Sequence, residues 1–128
     1  VTVADLLAKD RFAAALGAKL VAADPDHVVL EMTVAEHHLD ESGELSPGAL
    51  FSLADCALSL ISNAEVTSVA VATHLASRDS ARVGDVVRAE ARPRLARIDR
   101  AATFGIELSV DDRPIADFTG TTLRVGGR

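Results

Sequence analysis

The sequence predicts an α+β fold in which one long helix is wrapped by a sheet of about six strands. The first observation behind this is a run of twenty residues, Leu45 to Ala64, holding one charged side chain, Asp55, in a chain that is 25% charged. No other long apolar helix is available to cover a sheet. The second is a set of β-patterned segments on either side of that run, each closed by turn residues. The third is length: 128 residues form a single domain, residues 1–128, with a real core and no room for a second.

Thr2 can cap a first helix running to about Leu16, because Val3, Leu6, Leu7, Phe12 and Leu16 approximate one face and Gly17 is a natural stop. Lys19 to Ala23 and Val28 to Val34 read as two strands around the turn Asp24-Pro25-Asp26-His27. Glu36 to Glu44 is polar and without period, hence a loop. Ser46 then reads as an N-cap with Pro47 at the first helical position, where a missing N–H has no helical partner to lose. That helix runs to about Ala64. Strands follow near Val66 to Ser77, Asp85 to Ala96, Ala101 to Val110 and Ile115 to Val125. The breaks at Arg82 to Asp85, Arg97 to Arg100 and Asp111 to Pro114 read as three successive turns of an antiparallel meander. Gly126-Gly127-Arg128 reads as a frayed tail.

Composition removes several classes of function. A net charge of -6 disfavours nucleic acid, whose phosphates call for clustered cations. Cys56 is the only cysteine, which excludes an intrachain disulfide and leaves no thiolate cluster for a metal. It lies about 100° around the helix from Asp55 with no His beside it, so a buried structural thiol is expected. His37 and His38 point in different directions and have no third ligand at a recognisable spacing, so no metal is expected there either. Neither a leader pattern nor a membrane-spanning apolar stretch occurs in the chain, and a cytoplasmic, soluble protein without a membrane partner is the expectation.

Chemistry is expected at Asp55. A carboxylate among Leu53, Ala54, Cys56, Ala57 and Leu58 loses water, and desolvation raises its pKa. On a helical wheel Leu50, Leu53, Ala54, Ala57, Leu60, Ile61 and Ala64 form an apolar arc, while Gly48, Ser52, Asp55, Ser59, Ser62 and Asn63 gather opposite. That seam is either an ordinary solvent face or a surface approached closely by another chain or a ligand. The second reading explains why it carries no Lys, Arg or Glu. Helix amides from another subunit, facing such a seam, can polarise a carbonyl while Asp55 handles the attacking water.

These residues resemble the hotdog-fold acyl-CoA thioesterases of the small, phenylacetyl-CoA (PaaI-like) type. The likeness centres on His38-Leu39-Asp40, Gly43, Gly48-Ala49-Leu50-Phe51 and Leu53-Ala54-Asp55, with Arg82-Val83-Gly84-Asp85 matching a later Gly-Asp strand start. It implies a curved antiparallel sheet around a central helix, a homodimer or a homotetramer built as a dimer of dimers, and active sites at the subunit interface. Asp55 would act as general base or nucleophile toward a thioester carbonyl. Backbone amides at the start of the partner's central helix would hold the carbonyl oxygen, and no cofactor is needed beyond the CoA of the substrate.

Two departures bear on that chemistry. The family's His-Gly-Gly is replaced by Ser46-Pro47-Gly48, and Pro47 has no N–H to offer the oxygen. Losing one such donor costs about 10²- to 10³-fold in turnover, so Gly48 N–H takes over, the Ser46 hydroxyl helps, or hydrolysis is weak. Asp40 stands where the family commonly has Asn; it either couples to Asp55 as a second carboxylate or is a solvated loop residue. Phe51 and Leu58, with the small seam, leave room for an apolar acyl chain. Ser59 and Ser52 are placed to hydrogen-bond Asp55 or a water, or are structural. The resemblance also implies a hydroxyl that positions water on the first strand after the helix; Thr73 holds that place, or Ala70 holds it in another register and the hydroxyl is absent. Arg78 and Arg82 flank a turn, where they either meet CoA phosphates or are simply solvated. The expected function is hydrolysis of an acyl-CoA or related thioester; the competing class is a noncatalytic module that binds an acyl-CoA or a protein partner.

Overall fold

The computed structural model describes residues 2–127, apart from the side chains of residues 96–98. Arg128, read as tail, lies outside the described residues. The elements run α1 (Val3–Lys9), α2 (Arg11–Leu16), β1 (Lys19–Asp24), β2 (His27–Thr33), a 3-10 turn (Glu36–His38), α3 (Pro47–Asn63), β3 (Val66–Ser77), β4 (Val86–Ile98), β5 (Ala101–Val110) and β6 (Arg113–Gly127). The α+β class is as expected, a curved six-stranded antiparallel sheet packed on the central helix.

The first helix is not continuous. Thr2 does cap it, reciprocally with Asp5, but Asp10 adopts an extended backbone, closes α1 and caps α2 by accepting from the Ala13 N–H at 3.0 Å. A short acid that can bond the backbone ahead of it competes with helix continuation. Gly17, in the left-handed conformation at φ 84°, ends α2 as predicted.

The meander is only partly present. Strands order as β1-β2-β4-β5-β6-β3, so β4, β5 and β6 are neighbours while β3 lies on the far edge beside β6. The reason is α3, which at 17 residues is about 25 Å long and contacts β2 through β6. The chain therefore leaves β2 and re-enters the sheet at its other edge. Residues 78–85 make the return crossing rather than a hairpin; Arg78 and Asp79 N–H groups bond Ile115 O, and Gly84 N–H bonds Val34 O. Gly126 and Gly127 are also not frayed, since they continue the β6 ladder opposite Thr67 and Val66.

The core lies between α3 and the helix-facing side of the sheet, with Leu53, Ala57, Leu58, Leu30, Ile106, Leu108 and Phe118 almost completely buried. The apolar arc of α3 is wider than the wheel implied: Cys56, Leu58 and Ser62 are buried too. Sheet curvature allows this, because strands reach around the helix instead of touching one stripe. At Gly120 the approach is closest, as a Cβ there would stand 2.5 Å from Leu58 Cδ2. Leu58 is itself buried and has nowhere to retreat. Gly120→Ala is therefore expected to destabilise the fold by about 1–3 kcal/mol, read from denaturant midpoints at unchanged m.

Candidate active site

Ser46 accepts from the Gly48 N–H through its hydroxyl oxygen at 3.1 Å, while its carbonyl accepts from Ala49 and Leu50. This is an ordinary N-cap, with Pro47 at the first position. Its chemical consequence is specific: the first amide of α3 able to donate is already engaged, but the Ser46 O–H has no acceptor among the described residues. The Ser52 hydroxyl donates to Gly48 O at 2.8 Å and so does not serve Asp55.

Asp55 lies two turns beyond Gly48 on the same helix, half-buried, with no hydrogen bond or ion pair among the described residues. Burial raises its carboxyl above the ordinary aspartate range, and the charge of Asp10 raises it further. The same surroundings push the Cys56 thiol up to about 12, burial first and then Asp10 and Asp55, so this cysteine is an inert buried thiol at neutral pH. Asp10 was hidden in the sequence because it falls between Leu7 and Phe12, in a run whose apolar residues approximate one face of a single helix. The break it causes carries α2 back against α3. The small seam of α3 is thus covered in part by this chain's own α2, where Phe12 and Ala15 share a groove with Gly48, Ala49 and Ser52.

His38 is buried, and both ring nitrogens are taken. Nδ1 accepts from the Ala35 N–H at 3.0 Å and Nε2 donates to Leu16 O at 2.8 Å, fixing the neutral tautomer and tying the loop before α3 to the end of α2. Burial lowers its pKa below the usual histidine value. The unfolded chain therefore takes up the proton first as pH falls. Stability from this contact is complete above about pH 6.5 and is lost as pH drops from there toward the lowered native value, at no more than about 1.4 kcal/mol per pH unit. Urea titrations across that window are expected to show this slope and, in His38→Gln, its loss.

The remaining candidates are dispersed. Asp40 accepts from the Ser42 hydroxyl and N–H and from the Glu44 N–H, bonds that hold its carboxyl below the ordinary range. Within one chain, the carboxylate acting on Asp55 is Asp10 and not Asp40. Phe51 packs edge-on against Phe118 at 5.2 Å between centroids. Ser59 is exposed, its carbonyl accepting from Asn63. Thr73 pairs with Gly120 and so shares the helix-facing side of β3, near Leu58, although the strand is an exposed edge there. Arg78 is ion-paired with Asp117 across the sheet, and Arg82 is exposed in the return crossing, its N–H bonded to Asp85. Neither arginine lines the groove at Ser46 and Gly48, although Arg82 shares a smaller pocket with Glu44.

A central helix enclosed by a curved six-stranded antiparallel sheet is an architecture that known proteins share. A Deinococcus radiodurans protein named "Putative esterase" is 36% identical over 116 residues, 88% of this chain and 78% of that one. The Escherichia coli PaaI protein of the phenylacetic acid degradation operon superposes with a TM-score of 0.93 at 28% identity, over 98% of this chain and 92% of that one. A variant of the phenylacetic acid degradation protein PaaI of Thermus thermophilus gives 0.87 at 33% identity, over 91% and 100%. A hypothetical thioesterase of Streptococcus pneumoniae, solved with coenzyme A, shares the fold with a TM-score of 0.81 at 18% identity, over 87% of this chain and 88% of that one. No family model matches the chain. The protein belongs to the PaaI-like family of hotdog-fold acyl-CoA thioesterases.

Proposed function

We propose that the protein hydrolyses an acyl-CoA, or a related acyl thioester, with Asp55 as the catalytic carboxylate at an interface between two copies. The observation that carries this is Asp55 itself, half-buried, without a partner among the described residues and raised in pKa. A base is most useful when its pKa is moved toward the working pH. In the reaction, Asp55 takes a proton from water as the water oxygen bonds to the carbonyl carbon. Collapse of the adduct breaks the C–S bond and returns the proton to the CoA thiolate. Direct attack by Asp55 uses the same placement: the carboxylate bonds to the carbonyl carbon, the C–S bond breaks to expel the CoA thiolate, and water then opens the mixed anhydride to the free acid and Asp55, its released proton going to the thiolate.

A second copy is needed because Gly48 and Asp55 are about 10 Å apart along one helix, too far for one carbonyl to meet both. β3 supports such pairing: it is a 12-residue edge strand on which Val69 and Val71 are exposed, and an edge of that length invites a partner strand. A homodimer, or a homotetramer of two dimers, follows from this reading. Among the described residues no helix is long and apolar enough to cross a membrane.

The turn from Ser46 to Gly48 favours a second reading. Pro47 lacks an N–H and the Gly48 N–H is occupied, so a noncatalytic module that binds acyl-CoA or a protein would explain the departure from the family motif. Assays with a panel of acyl-CoAs separate the two. Hydrolysis by the wild type and not by Asp55→Ala is expected; equal background rates for both, with acyl-CoA binding retained, would establish the binding module instead.

A further inference from the structure

We propose that Phe12 walls the acyl-binding groove and that this groove selects thioesters whose acyl group is apolar and several carbons long. The inference rests on the thioesterase reading and extends it to the side of the site that meets the acyl group. A groove of about 370 Å³ lies between α2 and the first turns of α3. Phe12, Ala15, Leu39 and Ala49 supply its apolar walls, and Ser46 and Gly48 line it as well. The groove is therefore continuous with the turn proposed to hold the carbonyl oxygen.

Phe12 is 61% exposed, while Leu6, Leu7 and Leu16 of the same two helices pack on the core. Among the described residues it is the only large apolar side chain exposed on a helix. An open phenyl ring costs solvation free energy that an apolar ligand recovers by covering it. The chemistry of the walls distinguishes acyl from pantetheine. Pantetheine carries amides that require partners, yet the His38 nitrogens are taken up by Ala35 and Leu16, the Gly48 N–H by Ser46 and the Ser52 hydroxyl by Gly48. Among the polar side chains that line the groove, the Ser46 O–H and the exposed His37 ring are what remain, enough for a carbonyl and few for a diamide arm.

Phe12→Trp tests this directly, because the chain has no Trp or Tyr and the new indole is the sole fluorophore of its kind. Its emission is followed during titration with inert ketone analogues of octanoyl-CoA and acetyl-CoA, in which a methylene separates carbonyl from sulfur, and with CoA alone. Calorimetry measures binding independently. A blue shift with the octanoyl analogue, and little with the acetyl analogue or CoA at saturation, is expected. Equal shifts with all three place pantetheine in the groove and overturn the proposal. So does an emission already blue and unresponsive, which means that a second copy covers Phe12. Heat of binding without any spectral change overturns the groove but leaves thioester binding intact, whereas no heat with any analogue removes both. In turnover assays, Phe12→Ala is expected to lower the ratio of kcat/KM for octanoyl-CoA over acetyl-CoA about tenfold. An unchanged ratio overturns the selectivity.

Discussion

Asp55→Asn is expected to lower thioester turnover by about 10²- to 10⁴-fold, the usual contribution of a positioned acid-base group, and at neutral pH to raise the Tm. The two effects share one cause. Burial and Asp10 disfavour the ionised carboxylate in the native state, so its native pKa lies above the unfolded value. Stability from this group is greatest below about pH 3.8 and is lost as pH rises through the raised native pKa. Asparagine removes that loss, so the Tm difference between variant and wild type should vanish under acid conditions. Asp10→Asn is the companion, since asparagine still caps Ala13 while removing the charge. It should move the acid limb of the kcat/KM profile to lower pH and raise the Tm less than Asp55→Asn does, because burial, the larger cause, remains. A limb that stays in place would exclude Asp10 as an influence on the catalytic group.

Ser46→Ala is expected to reduce turnover by about 10²- to 10³-fold, as for loss of one donor to a developing oxyanion. The hydroxyl oxygen is committed to Gly48, which leaves its proton as the donor free to meet a carbonyl at this turn. Loss of the cap should also cost about 1 kcal/mol of stability, a change visible in denaturation and much too small to explain the rate. If the variant instead turns over as fast as the wild type or faster, the freed Gly48 N–H is the donor and the serine only blocks it.

Much of this was legible in the chain because local rules suffice. Thr2, Gly17, Ser46 and Pro47 mark helix ends through their own backbone and side-chain bonding, and each does so in the structure. The raised pKa of Asp55 likewise follows from its apolar neighbours on the helix. Asp10 could have been found by the same logic, since an acid three residues before Ala13 is a cap signal inside an apolar pattern. Its consequence for Asp55 could not, because the two are 45 residues apart and the charge of one reaches the other only when α2 folds back on α3.

By itself, then, the sequence determined the fold class, the element order and the single acid in the long helix, since periodicity, caps and turn residues act over a few neighbouring positions. Tertiary structure alone decided that β3 crosses to the far edge, that His38 ties the loop to α2, and that the charge of Asp10 rather than of Asp40 acts on Asp55 within the chain. Those outcomes depend on packing and hydrogen bonds between residues distant in sequence, whose partners are chosen by burial of the whole core and leave no periodic trace along the chain.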